Sequence, residues 1–369
     1  MGIPMTMREL AALANVSVST VSKAFHGAED VSEETKEHIF AIARKYGCFG
    51  KYYRGQYARK VIAIVCPEIG SAYYNRYVEE LQKLVEESGG IVLVSSDNFE
   101  REDQQELVEY YASYLKADGM FIFDQQAPLK KGYSIPVVSL LSNRALARTH
   151  SLQVNLEEPM KDAISHLRSL GHKHILFAGE RLTGGKAAVF REAATGFQAA
   201  ADDFQAAADD FQSAANGFQS AEFGSKTAAD EERYELFESA YRFEEAGIDA
   251  AKNIIKRKKR PTAVICAYDN IAVGLIRYLK EQGYSVPGDF SVIGMDNIRM
   301  AQYLEHSLTT IDCRIDETCT AAWELMKKKL KNPYYTPEKS QVVTGKLIIR
   351  ETTGIISPGD SAKRQPQSL

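Results

Sequence analysis

Along the first sixty residues, apolar positions recur at helical spacing in three short bursts. Leu10, Leu13 and Ala14 form the first, Val18, Val21 and Phe25 the second, and Ile39, Ile42 and Ala43 the third. Each burst follows a residue that caps helices. Thr6-Met7-Arg8-Glu9 has the form of a capping box, in which the Thr hydroxyl and the Glu carboxylate each satisfy an orphan amide. Ser17 precedes the second burst and Ser32 the third, where Glu33 and Glu34 suit the positive end of a helix. Asn15-Val16 breaks the first pattern, so two short helices joined by a tight turn, a helix-turn-helix, are predicted, with a third packed on them. The second helix would expose Val18, Ser19, Thr20, Ser22 and Lys23: small groups that allow close approach, hydroxyls suited to phosphates, and one long donor. A small helical cap with ordinary N-caps is the other reading of the same pattern.

From Arg59 onward the period changes. Val61–Val65, Ile91–Val94, Gly119–Phe123 and Pro136–Leu140 read as buried strands, with helices over 77–88 and 104–115 between them. A second series follows Val154, with strands at Ile175–Ala178, Ala263–Cys266 and Ser291–Gly294 and helices over 159–170, 248–258 and 270–282. Repeated strand–helix units imply parallel, doubly wound sheets with ligands at the carboxyl ends of their strands. Two such lobes facing each other make a clamshell. The predicted fold is therefore an all-α helix-turn-helix headpiece plus an α/β core of two doubly wound parallel-sheet lobes.

Composition narrows the function. With 44% hydrophobic and 25% charged residues, and no apolar run near the roughly 18 residues of a membrane span, the chain reads as a soluble globular protein. The N-terminus shows no signal-peptide core, which points to the cytoplasm. The five cysteines are scattered, without a CxxC pair, and read as reduced and structural, and no metal or other cofactor is expected. The net charge of −4 hides an asymmetry. Residues 1–60 carry nine Lys/Arg against six Asp/Glu, a net of +3, so the rest carries −7. The positive share sits where a phosphate backbone could use it.

The run Val16-Ser17-Val18-Ser19-Thr20-Val21-Ser22-Lys23, then His26-Gly27 and Val31-Ser32-Glu33-Glu34-Thr35, resembles the DNA-binding headpiece of the lactose-repressor/galactose-repressor (LacI/GalR) family. The resemblance implies that Val18, Ser19 and Lys23 face base edges in the major groove while Ser17, Thr20 and Ser22 hold backbone phosphates. In that family a hinge helix follows and wedges a Leu into the minor groove. Here the stretch reads Phe49-Gly50-Lys51-Tyr52-Tyr53-Arg54-Gly55-Gln56-Tyr57, with two glycines and Tyr57 at the Leu position. Tyr57 unstacking a base step and a solvated tyrosine-rich linker are both open.

Leu170-Gly171-His172-Lys173-His174-Ile175, Pro261-Thr262-Ala263-Val264, Ile293-Gly294-Met295-Asp296-Asn297-Ile298 and Leu308-Thr309-Thr310-Ile311 resemble signatures of the same family's core, in the same order. That core is periplasmic-binding-protein-like. The resemblance partitions the chain into a headpiece (1–48), a hinge or linker (49–60), an N-terminal lobe (61–156 and 300–331), a C-terminal lobe (157–299 and 340–355) and a disordered tail (356–369). By position, effector contacts fall on Tyr73 and Tyr74 in the loop after the first strand, and on Arg191, Tyr268 and Asp296. Aromatic faces would stack on a ring, while Asp296 and Arg191 supply fixed hydrogen bonds. Asp269 keeps an acid expected there, with a helix cap as its plainer role.

The implied function is that of a sequence-specific transcriptional regulator, a repressor binding a pseudo-palindromic operator as a homodimer under control of a small effector, a sugar or related metabolite. No catalytic residues, metal or membrane contact are expected. The alternative is a non-regulatory sugar-binding or sugar-processing α/β protein with a helical cap.

Two further motifs stand apart from these signatures. Gly179–Lys186 approaches a phosphate-binding loop, but its spacing is one residue out and Ala187 replaces the required Ser/Thr, which argues against a nucleoside triphosphatase. Phe197-Gln198, Phe204-Gln205, Phe211-Gln212 and Phe218-Gln219 form a heptad repeat, an insertion near 197–224 relative to the family pattern. Phenylalanines at that spacing drift only about 20° per repeat on a helix, so a projecting amphipathic helix is predicted. It serves either as a partner surface or as a tolerated duplication.

Overall fold

The computed structural model describes residues 5–52, 59–123, 135–141, 150–197, 233–332, 335 and 341–355. The expectations for Tyr57, for the Phe–Gln repeat beyond Phe197 and for the tail 356–369 lie outside the described residues.

Three helices, α1 (Met7–Ala14), α2 (Val18–Phe25) and α3 (Glu33–Lys45), form the headpiece. The Thr6–Glu9 capping box is formed, and Ser17 and Ser32 cap α2 and α3 by accepting the N–H groups of Thr20 and Thr35. Asn15 takes a left-handed conformation (φ 53°) that ends α1 and turns the chain into α2. Leu10, Ala11, Val21, Phe25, Ile39 and Ala43 close a core of their own, while Leu13 points outward. This core extends past residue 48. A single helical turn, α4 (Phe49–Tyr52), packs Phe49 and Tyr52 against Phe25, and the Tyr52 hydroxyl donates to the Met5 carbonyl at 2.6 Å. Two aromatic anchors therefore carry the headpiece to Tyr52.

The core begins with β1 (Val61–Cys66), α5 (Ala72–Glu87), β2 (Ile91–Ser96), α6 (Arg101–Glu109, continued by a π turn at Tyr110–Leu115), β3 (Gly119–Phe123), β4 (Val137–Leu140) and β5 (His150–Asn155). It continues with α7 (Glu157–Ser169), β6 (His174–Glu180), α8 (184–197), β7 (Arg233–Ser239), α9 (Phe243–Lys256), β8 (Ala263–Cys266), α10 (Asp269–Glu281) and β9 (Ser291–Met295). Last come β10 (Thr309–Asp312), α11 (Ile315–Lys331), β11 (Gln341–Thr344) and β12 (Lys346–Ile348).

Two six-stranded sheets result, ordered β11-β5-β4-β3-β1-β2 and β12-β10-β9-β8-β6-β7. The pairings are parallel except for β12 against β10. Successive β1 residues serve opposite faces: Ile62 and Ile64 pack in the large cluster with Tyr77 and Leu81 of α5, and Ala63 and Val65 in another with Val108 and Tyr111. Both faces are covered, so the strand reads as one apolar run rather than an alternation. In the second sheet, α9 and α10 approach so closely that a Cβ at Gly274 would stand 1.9 Å from the Glu244 carbonyl oxygen.

The lobe boundaries differ from those read in the sequence. β10, within the stretch assigned to the N-terminal lobe, pairs with β9 and β12 of the second sheet, whereas β11, assigned to the C-terminal lobe, pairs with β5 of the first. The chain therefore crosses between lobes just after Asn155, between Asp312 and Ile315, and at Gly345. Hydropathy misses these points because β5, β7, β10, β11 and β12 lie at sheet edges or pair only over a few residues, where an apolar run is not required.

Candidate functional site

The capped end of α2 presents one candidate surface. Ser17, Val18, Ser19 and Lys23 are exposed and Thr20 and Ser22 half-buried, while Val21, Ala24 and Phe25 face the headpiece core. The Ser17 and Thr20 hydroxyls lie 2.8 Å apart, so both sit on the first turn beside its unsatisfied N–H groups. The Lys23 ammonium is paired with Asp30 in the turn before α3.

The second candidate lies between the lobes, at the carboxyl ends of β1, β6, β8 and β9. Tyr73 and Tyr74 are on the first turn of α5 rather than in the preceding loop. The helix starts at Ala72 because Tyr73 stacks edge-on with Tyr74 and Tyr77, and these two with Phe123, a burial that outweighs the weak helix propensity of tyrosine. Tyr268 stands at the N-cap of α10 and donates its hydroxyl to Glu180 Oε1 at 3.3 Å. Asp296 follows β9 with a left-handed φ of 106°, a conformation sparsely populated outside glycine.

Lys186 of α8 joins these groups. Its Nζ donates to Asp296 Oδ1 and to the Ala267 carbonyl, each at 2.8 Å, and lies 4.5 Å from the Tyr268 ring centroid and 5.1 Å from that of Tyr73. The buried Asp296 carboxylate thus pairs with a protein cation from its own lobe. Burial raises the Asp296 pKa, against the pull of Lys186. Beside it, burial and the charge of Asp296 push Asp269 up to about 8. Asp269 is a structural tie: its Oδ1 accepts the Thr310 hydroxyl at 2.6 Å and its Oδ2 the Ile298 N–H at 2.8 Å, anchoring the turn that carries Asp296.

Arg191 does not join the cluster. It is exposed on α8, five residues beyond Lys186, and lines a surface hollow with Thr195, Arg233, Tyr234 and Leu236. A step of five residues turns a helix by about 500°, so Lys186 and Arg191 point some 140° apart. Lys186 stood in the sequence only as the end of a failed phosphate loop.

The cleft is closed by contacts across the lobes. Arg242, after β7, makes a bidentate pair with Glu68, after β1, at 2.8 and 3.0 Å, and its Nε lies 3.5 Å from the buried Glu180. Its guanidinium also stacks on Phe243, 4.4 Å from the ring centroid. Arg76 of α5 donates to the Asn297 carbonyl at 2.9 Å. Neither Glu68 nor Arg242 carries a signal in the sequence, since β7 itself was not legible. His172 is buried between Thr262 and the Gly354 carbonyl, a structural position. Among the described residues no group of three or more His, Cys, Asp or Glu side chains could hold a metal, and no helix is long and apolar enough to cross a membrane.

Fold and sites together define a class: a helix-turn-helix headpiece joined to a two-lobed, periplasmic-binding-protein-like core. Residues 6–47 match the family of bacterial regulatory proteins of the lacI type, and residues 164–353 match the periplasmic binding protein-like domain. The HTH-type transcriptional regulator AscG of Escherichia coli (strain K12) is 25% identical over 379 residues, covering 96% of this chain and 99% of AscG. Among solved structures, the lac repressor dimer bound to operator and the anti-inducer ONPF superposes with a TM-score of 0.62 at 20% identity, covering 95% of this chain and all of the other. A LacI family transcriptional regulator from Enterococcus faecium with bound ribose gives a TM-score of 0.62 at 19% identity, over 81% of this chain and all of the other. The chain belongs to the lacI family of bacterial regulatory proteins and is a DNA-binding transcriptional regulator.

Proposed function

We propose that the protein is a cytoplasmic, non-catalytic repressor that holds a pseudo-palindromic operator as a homodimer and is controlled by a small polyhydroxylated effector, a sugar or a relative of one, bound between the lobes. The observation that carries this reading is the cleft itself. Aromatic faces of Tyr73 and Tyr268 flank paired donors and acceptors, Lys186 with Asp296 and Arg242 with Glu68, so each hydroxyl of a ring could accept from a cation and donate to its carboxylate. The ribose bound to the Enterococcus faecium regulator supports the same ligand class. Tyr73, Tyr74, Tyr268 and Asp296 are the effector contacts in this proposal, joined by Lys186 and Arg242, and Arg191 stands apart from them. Ser17, Val18, Ser19, Thr20, Ser22 and Lys23 are the DNA contacts of the headpiece, with Tyr57 in the linker beyond it.

The test is selection from a pool of randomised duplexes, footprinting of the selected sequence at several salt concentrations, and titration of the complex with a panel of free sugars. A protected pseudo-palindrome, a steep salt slope and a ligand that shifts the affinity at least tenfold are expected. A protein that binds sugars but prefers no duplex at any salt concentration would instead be a ligand-binding α/β protein with a helical cap.

A further inference from the structure

The contact between Lys23 and Asp30 lies in the part of the headpiece that the DNA reading places against the duplex. The chain after α2 folds back over the end of that helix: the Lys23 carbonyl accepts the N–H groups of His26 and Ala28 at 3.1 and 3.0 Å, and the buried Val31 anchors the turn into α3. Asp30, next to that anchor, is thereby held outward beside Lys23, and its Oδ2 takes one of the three ammonium N–H groups. No other partner of the Lys23 ammonium occurs among the described residues. An unrestrained lysine samples many rotamers and gives them up on binding; one tied at its tip has already done so.

We propose that Asp30 is a positioning residue for base reading, one that aims the two remaining N–H groups of Lys23 at a pair of base-edge acceptors, guanine O6 and N7. Lysine alone is a point donor of low geometric selectivity, and the tie to a fixed carboxylate gives it a direction. The same carboxylate faces phosphates whenever the headpiece sits out of register, where its charge opposes binding. Lys23 holds the Asp30 carboxyl below the usual carboxylate range, so that charge is present throughout the neutral range. The inference rests on α2 as the helix that reads DNA.

The experiment uses the full-length protein, a duplex selected by it from a randomised pool, and a random duplex of equal length. Asp30→Asn should weaken binding to the selected duplex about fivefold and leave binding to the random duplex equal or up to threefold tighter, with Asp30→Glu recovering most of the loss. In a Lys23→Ala background Asp30→Asn should change the selected-duplex affinity less than twofold. Replacing the contacted guanine by 7-deazaguanine, which lacks the N7 acceptor, should weaken the wild type and leave Lys23→Ala unaffected. Selected and random duplexes shifting together, no shift on either, or a full effect of Asp30→Asn without Lys23 would each overturn the proposal. A wild type that prefers no duplex would overturn the DNA reading instead, a distinct result. Both side chains are half exposed, so the variants should fold, which circular dichroism checks.

Discussion

Lys23 with Asp30 and Lys186 with Asp296 are the same pair of residue types in two halves of the molecule, and they differ in water. The first pair leaves 50% and 58% of its side chains exposed, the second 15% and 2%. A pair in water is screened and adds little to stability, which suits a tie whose part is to aim a cation at DNA rather than to hold the fold. A pair out of water is held by the absence of alternatives. Removing either member strands a charge, so the cleft can exchange these contacts only for a ligand that replaces them.

The sharpest break of this comparison is Asp296→Ala. It leaves the Lys186 ammonium buried with the Ala267 carbonyl as its hydrogen-bond partner and no counter-charge, and we expect a loss of about 3–5 kcal/mol in urea unfolding of the core together with loss of effector binding. Asp30→Ala should leave urea unfolding of the headpiece nearly unchanged. Equal costs would show that burial does not separate the two pairs.

The second difference is in pH. Asp269 has a folded pKa of about 8, well above its ordinary value of 3.8, so the folded core binds a proton that the unfolded chain has released. Stability from this group is full below about pH 4 and falls as pH rises towards 8, at up to about 1.4 kcal/mol per unit. Between pH 5 and 7 we expect about 2–3 kcal/mol to be lost from the core in denaturant titrations. Asp269→Asn should flatten that slope, and a slope unchanged in this variant would assign it to other groups.

Lys23→Ala should weaken binding to a selected duplex by about 1–3 kcal/mol with unfolding and effector affinity unchanged. Losses of equal size on random DNA would make Lys23 a phosphate contact. Ser17→Ala removes the cap of α2 and should lower headpiece stability by about 1 kcal/mol, seen as an earlier headpiece transition in thermal melting.

The two halves also differ in how far they could be read from the sequence. Caps, turn and amphipathic faces are local, and the three headpiece helices begin and end within a few residues of where the pattern put them. The exposed face of α2 followed directly, because a surface is what remains once the apolar stripe is assigned. The cleft is assembled from the ends of strands far apart in the chain. The family resemblance points by position to Tyr268 and Asp296, which the fold brings to one cleft, but it also points to Arg191 and passes over Lys186, since that choice depends on the rotation of α8 on its sheet. Glu68 and Arg242 meet only because the lobes face each other, and no local pattern records a contact across 174 residues. The central strands β1, β3, β8 and β9 announce themselves by being buried on both faces, and the edge strand β2 by its apolar run Ile91–Val94; β7, β11 and β12, partly exposed and with polar residues interspersed, do not.

The three passages of the chain between the lobes bear on how the protein is made. The headpiece is complete once Tyr52 has been synthesised, whereas the first lobe's sheet waits for β11 at Gln341–Thr344 and the second lobe's for β12 just beyond. Domains fold as units as they leave the ribosome, N-terminal first. A chain cut short just before Gln341 would therefore carry a finished headpiece on a core missing an edge strand from each sheet, with the reading module built and the responding one not.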